Sequence, residues 1–341
     1  MTDHDFGQSP VTSALLEVDD LSISFDTDEG TLDAINNISF SIQAGETVGL
    51  VGESGCGKSV TAHSIMRVLP QPMGRISHGS VRFNGINLRT LALPDMENIR
   101  GSDIGMVFQE PMTALNPVQT IGKQISESLI LHLNLSIPEA LQASIDILKR
   151  VGVPSPELRV SEYPHQLSGG MLQRVVIAIA LACKPSLLIA DEPTTALDVT
   201  IQAQILNLIR DLQNDMKMAV LLITHDLGII AETCDRILVM YAGRIVESGS
   251  VTDIFDSPAH PYTQGLLNSI PRLVTPSKSR LPVIKGQVPN IRDYPTTCRF
   301  DNRCPHRQAK CSKLTPELEK VSESHQVSCF GWQGIQKERN I

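Results

Sequence analysis

The sequence predicts an α/β fold in which helices cover a mostly parallel sheet, with antiparallel strands before it and an irregular extension after it. Near the start, LLEVDDLSISF and AINNISFSIQ show short apolar runs separated by polar turns, which is typical of antiparallel strands. Further along, apolar runs alternate with amphipathic helical patterns, as a parallel sheet requires. From Pro271 onward, prolines recur at short intervals with little periodicity, which indicates an appended segment.

The parallel strands are predicted from the runs TVGLV, SLLIADEP, AVLLIT and RILVMY. One helix should begin at Pro117 with Asn116 as its cap, and its apolar face contains Val118, Ile121, Ile125 and Leu129. A second helix should stop at Gly152, and its apolar face contains Leu141, Ile145, Leu148 and Val151. A third apolar helix face contains Ile201, Ile205, Leu208 and Leu212.

Composition excludes several classes of protein. The 341 residues carry 29 Lys and Arg against 37 Asp and Glu, a formal charge of −8, and no Lys/Arg-rich run, so nucleic acid is not an expected partner. The longest clean apolar run, Val175 to Cys183, is well short of the roughly 18–20 residues that span a bilayer. Because MTDHDFGQSP is acidic and polar, we expect no secretory signal and a cytosolic protein.

The segment GESGCGKS, Gly52 to Ser59, fits the phosphate-binding loop G-x-x-x-x-G-K-[ST]. Lys58 would place its charge on the β- and γ-phosphates, and Ser59 would offer its hydroxyl to Mg²⁺. The predicted contacts of this segment with ATP are Gly52, Ser54, Gly55, Cys56, Gly57, Lys58, Ser59 and Val60. The loop follows TVGLV and opens the helix SVTAHSIMRVL, which Pro70 should end. This setting favours a P-loop NTPase fold over a glycine-rich turn.

A second element of the site is LLIADEP, where a buried strand ends in two carboxylates. Asp191 is placed to reach the Mg²⁺ held by the loop serine, and Glu192 could polarise an attacking water. The alternative, a pair of solvated turn residues, is disfavoured by the phosphate loop upstream.

The segment LSGGM, followed by Gln173 and Arg174, resembles the signature motif of the ABC transporter ATPases. The other motifs of that family follow its order. Gln109 resembles the Q-loop glutamine, and His225 resembles the switch histidine. Ala196-Leu197-Asp198 resembles the D-loop, and Phe25 resembles the aromatic residue that stacks on adenine. Together these motifs cover roughly residues 14 to 250.

The resemblance implies an ABC-type ATPase domain at residues 14–255, with an antiparallel β subdomain and an inserted helical subdomain at about 112–182. It implies a head-to-tail pair of ATPases that hold ATP between the phosphate loop of one and Ser168, Gly169 and Gly170 of the other. The implied catalytic residues are Glu192, His225 and Gln109, and the implied Mg²⁺ ligands are Ser59, Gln109 and Asp191. Asp198 would couple the two sites. The second ATPase would be another chain, usually a paralogue.

The segment DIFDSPAHPYTQGLL, centred on His260-Pro261-Tyr262, resembles the start of the extension in peptide and nickel importer ATPases, here residues 256–341. The stretch HQLSGGMLQRVVIAIALACKPSLLIADEPTTALDVTIQAQI resembles their dipeptide and oligopeptide members most closely. The implied function is to power peptide import at the cytoplasmic face of a bacterial inner membrane. Its partners would be two multi-span permease subunits and, indirectly, an extracytoplasmic peptide-binding protein. The alternatives are import of nickel or another small solute, and a soluble ABC ATPase without a permease.

Four cysteines lie in the extension: Cys298, Cys304, Cys311 and Cys329. Their spacing is compatible with four thiolates around a metal but does not distinguish zinc from an iron–sulfur cluster. Free buried thiols and two disulfides are the alternatives without a metal, and a cytosolic location disfavours the disulfides. The resemblance to peptide importers implies a [4Fe-4S] cluster, with Zn²⁺ as the alternative metal. Either would help to fold a segment that has little apolar pattern.

Overall fold

Two β-sheets form the framework of the protein. The computed structural model describes residues 14–195, 197–270 and 283–339. The strands are β1 (Leu16–Thr27), β2 (Gly30–Ile42), β3 (Thr47–Val51), β4 (Gly74–Phe83), β5 (Ile86–Asn87), β6 (Ile104–Val107), β7 (Leu187–Asp191), β8 (Ala219–Thr224), β9 (Arg236–Tyr241), β10 (Arg244–Ser250), β11 (Glu319–Lys320) and β12 (Gln326–Val327). Within the described residues, four strands form one sheet, β2-β1-β4-β5, and eight form the other, β11-β12-β10-β9-β3-β8-β7-β6.

The smaller sheet is antiparallel, as the alternating runs near the start of the chain predict. Strand β1 pairs antiparallel with both β2 and β4. Its residues Leu21 and Ile23 are buried, and Ile35 and Ile38 of β2 join them in the same core cluster. The predicted antiparallel part of the fold is therefore confirmed.

The larger sheet is mostly parallel. Strand β3 pairs in parallel with β8 and β9, and β7 pairs in parallel with β6 and β8. Every residue of β3, β7 and β8 is buried, which explains why these strands are nearly continuous apolar runs in the sequence. The carboxyl ends of these parallel strands meet at one edge, and the loops after β3, β6, β7 and β8 leave from it.

The helices are α1 (Lys58–Ile65), α2 (Leu93–Ile99), α3 (Pro111–Ala114), α4 (Ile121–Leu133), α5 (Ile137–Arg150), α6 (Pro156–Arg159), α7 (Gly169–Leu181), α8 (Val199–Met216), α9 (Leu227–Thr233), α10 (Val251–Asp256), α11 (Pro261–Asn268) and α12 (Trp332–Arg339). Helices α3 to α7 follow one another between β6 and β7, and α4, α5 and α7 pack together. Over the described ranges, no helix combines the length and apolar character needed to cross a bilayer.

Two predicted helix boundaries are wrong. Helix α4 begins at Ile121 rather than Pro117, because the Asn116 side chain accepts a hydrogen bond from the Val118 backbone N–H at 3.1 Å and closes a turn there. Val118 is consequently 79% exposed. Helix α1 ends at Ile65, before Pro70, because Arg67 adopts a left-handed φ of 51°.

The predicted stop at Gly152 is confirmed. The residue directly follows the C-cap of α5 and has a φ of 74°, a conformation that glycine adopts without steric cost.

A buried carboxylate joins the extension to the larger sheet. Glu247 of β10 is fully buried and accepts backbone N–H bonds from Ala259 and from His260, the latter at 3.0 Å. Its third partner is the Nε2 atom of His325, at 2.8 Å. Residues 326–327 then add β12 to the edge of β10. Residues near the start of the extension and a histidine in its later part therefore meet at this one side chain.

We expect Glu247→Ala to lower the free energy of unfolding by about 3 kcal/mol, because it leaves two buried N–H groups and an imidazole without their acceptor. Glu247→Gln keeps one acceptor oxygen and should lose less. Guanidinium denaturation of the three proteins at equal concentration measures both differences. Equal stabilities of wild type and Glu247→Ala would contradict this assignment.

Candidate active site

The phosphate loop connects β3 to α1 at the carboxyl edge of the parallel sheet. Its Gly57 is the N-cap of α1 with a φ of 112°, and a Cβ there would come within 2.4 Å of the Ile35 side chain, so only glycine fits. Lys58 is 5% exposed, and its Nζ donates to the carbonyl oxygens of Gly52 at 2.9 Å and Glu53 at 3.3 Å. Backbone carbonyl groups of the loop thus hold the ammonium group in place.

A cleft of about 320 Å³ lies in front of this loop. The residues predicted to bind nucleotide that line it are Phe25, Ser54, Gly55, Gly57, Lys58, Ser59 and Val60. The Cys56 side chain is fully buried, which raises the pKa of its thiol, so this residue can offer a ligand only its backbone. Gly52 contributes its carbonyl oxygen to Lys58.

The predicted magnesium ligands meet at the start of α1. Asp191, at the end of β7, is 1% exposed, and Ser59 Oγ donates to its Oδ1 at 3.0 Å. Burial raises the pKa of the Asp191 carboxyl group, and the Ser59 hydrogen bond opposes that rise. A hydroxyl and a carboxylate side by side are the hard oxygen donors that Mg²⁺ prefers, so the residues present fit this ion.

Glu192 is the centre of the polar contacts at this edge. Its Oε2 accepts hydrogen bonds from Thr195 Oγ1 at 2.9 Å and Gln109 Nε2 at 3.2 Å. The Nδ1 atom of His225 lies 3.5 Å from the same oxygen, and Lys58 Nζ lies 3.9 Å from Oε1. The loops after β6, β7 and β8 therefore bring the three predicted catalytic residues together, with Gln109 and His225 both beside the Glu192 carboxylate.

The backbone of Glu192 is itself unusual. Its φ of 46° is left-handed, which is costly for a residue with a side chain, and its N–H donates to the Ile223 carbonyl at 2.9 Å. This conformation turns the chain sharply at the end of β7, so Asp191 stays in the sheet while Glu192 lines the cleft. The contact between Thr195 and Glu192 was not predicted from the sequence. A threonine three residues after the paired carboxylates is only a weak signal of such a contact.

The signature residues and the predicted coupling aspartate do not line this cleft. Ser168 caps α7 by accepting from the Met171 N–H at 3.4 Å, and Gly169 and Gly170 open that helix. Asp198 caps α8, where its Oδ1 accepts from the Ile201 N–H at 3.0 Å. Their predicted roles toward a second subunit remain predictions. Ala196 lies outside the described residues.

The predicted metal-binding character of the extension is not supported. In the described ranges, no three or more His, Cys, Asp or Glu side chains are grouped so that they could hold a metal ion. The four cysteines are nevertheless neighbours. Cys298 N donates to the Cys311 carbonyl at 3.2 Å, and burial together with the other thiols raises the pKa of Cys304 to about 12. Burial also raises the pKa of Cys298, to about 11, and that of Cys329.

The extension also supports the phosphate loop directly, which sequence reasoning missed. The Arg303 guanidinium binds the Glu53 carboxylate through two hydrogen bonds, at 2.6 and 3.0 Å. The Glu53 N–H donates to the Tyr262 hydroxyl at 2.8 Å. Ile291 and Tyr294 line the cleft itself. The proline-rich segment has no periodic pattern from which these contacts could be predicted.

Two protein families match the chain. Residues 35–195 match the ABC transporter family, and residues 246–311 match the C-terminal region of oligopeptide/dipeptide transporters. The second match includes Cys298, Cys304 and Cys311 but ends before Cys329.

Individual relatives agree with these matches. The chain is 50% identical to a probable peptide ABC transporter ATP-binding protein of Sinorhizobium fredii, over 94% of this chain and 96% of that protein. It is 48% identical to a dipeptide transport ATP-binding protein of Bacillus subtilis, over 93% of this chain and 94% of that one. Its fold resembles a dimeric ATP-binding cassette bound to ADP and phosphate, with a TM-score of 0.63, 28% identity, and 69% and 98% coverage of the two chains. This chain is therefore an ATPase of the ABC transporter family, and it carries the C-terminal region of the oligopeptide/dipeptide transporters.

Proposed function

We propose that the chain is the ATP-hydrolysing subunit of an importer of dipeptides or oligopeptides. The observation that carries this proposal is that one chain combines the Glu192-centred cleft with an extension matching the oligopeptide/dipeptide transporters. That extension is bonded to the phosphate loop through Arg303 and Glu53. The relatives named for peptide and dipeptide transport, about 50% identical over nearly the whole chain, support the substrate class.

The cleft suits hydrolysis of a nucleoside triphosphate. Backbone N–H groups of the loop and the N-terminus of α1 would face the phosphates, and Lys58 would exchange its carbonyl partners for phosphate oxygens. Glu192 would orient a water and take its proton while the water oxygen bonds to the γ-phosphorus. The bond from that phosphorus to the β–γ bridging oxygen breaks, which yields ADP and phosphate. His225, close to Glu192 Oε2, would contact the γ-phosphate.

Ser59, Asp191 and Gln109 would hold Mg²⁺, which neutralises charge on the β- and γ-phosphates when bound. Ser59 and Asp191 already form a hydrogen bond at 3.0 Å, so few side-chain movements are needed to make a pair of oxygen ligands. Gln109 contacts Glu192 through its amide nitrogen, so its oxygen is free of that contact.

A second ATPase would complete the site. Ser168, Gly169 and Gly170 open helix α7 away from the cleft of their own chain, and their backbone N–H groups would meet the γ-phosphate bound by the other subunit. Asp198 would connect the two sites across the interface. We propose a paralogue as the second ATPase, two multi-span permease subunits and an extracytoplasmic peptide-binding protein as further partners, and the cytoplasmic face of the inner membrane as the location.

Glu192→Gln should retain ATP binding but lose turnover by at least about 100-fold, because the amide cannot accept the proton of the attacking water. The variant should also accumulate a closed dimer with ATP. Steady-state phosphate release and gel filtration with ATP measure the two effects. Glu97→Gln, which changes an exposed glutamate of α2, is the matched control and should behave as wild type. Undiminished ATPase activity of Glu192→Gln would contradict the catalytic assignment.

Purification from detergent-solubilised membranes tests the transport proposal. We expect two multi-span proteins to accompany the chain, and a strain lacking the chain should lose peptide uptake and recover it with wild type but not with Glu192→Gln. Loss of nickel uptake with peptide uptake intact would assign the chain to the other importer class. A chain that remains soluble without membrane partners would indicate an ABC ATPase without a permease.

We also propose that the four extension cysteines bind a metal, with an iron–sulfur cluster favoured over zinc, because the extension resembles that of the peptide importers. Anaerobic purification followed by iron, sulfide and zinc analysis measures this directly. We expect about four irons per chain, as four thiolates hold a [4Fe-4S] cluster. Cys311→Ser should lower the iron content, whereas Cys183→Ser, which changes a cysteine of the ATPase domain, should not. Protein that contains neither iron nor zinc would exclude the site.

A further inference from the structure

We infer that the extension completes the nucleotide site of its own chain, and that Tyr294 contacts the base or ribose of the bound nucleotide. Tyr294 and Ile291 lie in the extension, far along the chain from the phosphate loop, yet both line the same cleft as Phe25, Gly55 and Lys58. The Tyr294 hydroxyl lies 3.5 Å from the Gly55 carbonyl oxygen. This inference rests on the proposed binding of ATP in this cleft.

The segment that carries Tyr294 is bonded to the ATPase domain at several points. Arg292 forms an ion pair with Glu29 in the turn between β1 and β2. Arg299 donates to the carbonyl of Ala242 in the turn between β9 and β10, and to the side chain of Asn36 on β2. These contacts connect the segment to both sheets, so its position against the cleft is set by the ATPase domain.

Arg299 also fixes the tyrosine ring. Its guanidinium carbon lies 4.5 Å from the centroid of the Tyr294 ring, and the Arg299 side chain is itself buried. A cation over one face of the ring stabilises its orientation. Tyr294 is half-buried, so part of the ring remains exposed toward the cleft. A partly exposed, immobilised aromatic ring is a suitable surface for a nucleotide base.

Tyr294 meets the phosphate loop at Gly55, whereas the groups predicted to bind the phosphates and Mg²⁺ lie at the start of α1. Lys58, Ser59 and Asp191 meet at the start of α1, where the phosphates and Mg²⁺ would bind. Phe25 lies on β1, and Tyr294 lies in the segment bound to the β1–β2 turn. The two aromatic residues thus belong to the part of the cleft next to the smaller sheet. We therefore assign Tyr294 to recognition of the nucleoside rather than the triphosphate.

Calorimetric titration of the full chain with ATP and with inorganic triphosphate, both with Mg²⁺, tests this assignment. Tyr294→Ala should weaken ATP binding about tenfold, the usual effect of removing one base–aromatic contact, and leave triphosphate binding within about twofold. Tyr294→Phe keeps the ring and should bind ATP within about threefold of wild type. Tyr163→Ala, which removes an exposed tyrosine outside the cleft, is the matched control.

Two outcomes would overturn the inference. Unchanged ATP affinity in Tyr294→Ala would show that the ring does not contact the nucleotide. An equal loss for ATP and triphosphate would show that Tyr294 only supports the phosphate loop through Gly55. If thermal unfolding shows that Tyr294→Ala is not folded, Tyr294→Leu replaces it with the same expected direction. Failure of the wild-type chain to bind ATP would instead count against the proposed function.

Discussion

Parallel backbone pairing of β3, β7 and β8 is the constraint on which the rest of the site depends. The hydrogen-bonded register sets Val51 beside Thr224 and Asp191 beside Ile223, so the strands end at the same edge. Ser59 and Asp191 are consequently 3.0 Å apart although 132 positions separate them in the chain.

Glu192 shows how one position gathers polar groups from several loops. Its left-handed backbone points the side chain away from the sheet, where Thr195, Gln109 and His225 surround one carboxylate oxygen. Each of these partners comes from a different loop or turn, so the arrangement exists only when the sheet is assembled. A carboxylate held by several donors keeps one orientation before any ligand binds.

The extension contacts the phosphate loop directly and is not a separate appendage. Arg303 pairs bidentately with Glu53 of the phosphate loop, Tyr262 accepts from the backbone of the same glutamate, and Glu247 anchors the neighbouring residues of the extension. Charge-assisted pairs of this geometry are strong and directional, so Arg303 holds the Glu53 side chain of the loop in one orientation. Cys304, one of the four extension cysteines, directly follows Arg303, the residue that contacts the phosphate loop.

The sequence by itself determined the position of the phosphate loop and of strands β3, β7, β8 and β9, because buried parallel strands and phosphate loops impose local patterns. TVGLV, SLLIADEP and GESGCGKS each carry their signal within a few residues. Helix α4 begins later than predicted because Asn116 can cap a helix or close a turn with the same side chain. The turn is the form in which the Asn116 N–H donates to the Gln124 side chain at 2.9 Å. Tertiary structure alone decided that Tyr294 and Arg303 reach the phosphate loop, since a segment without periodicity is placed by distant charges and ring contacts rather than by its own sequence pattern.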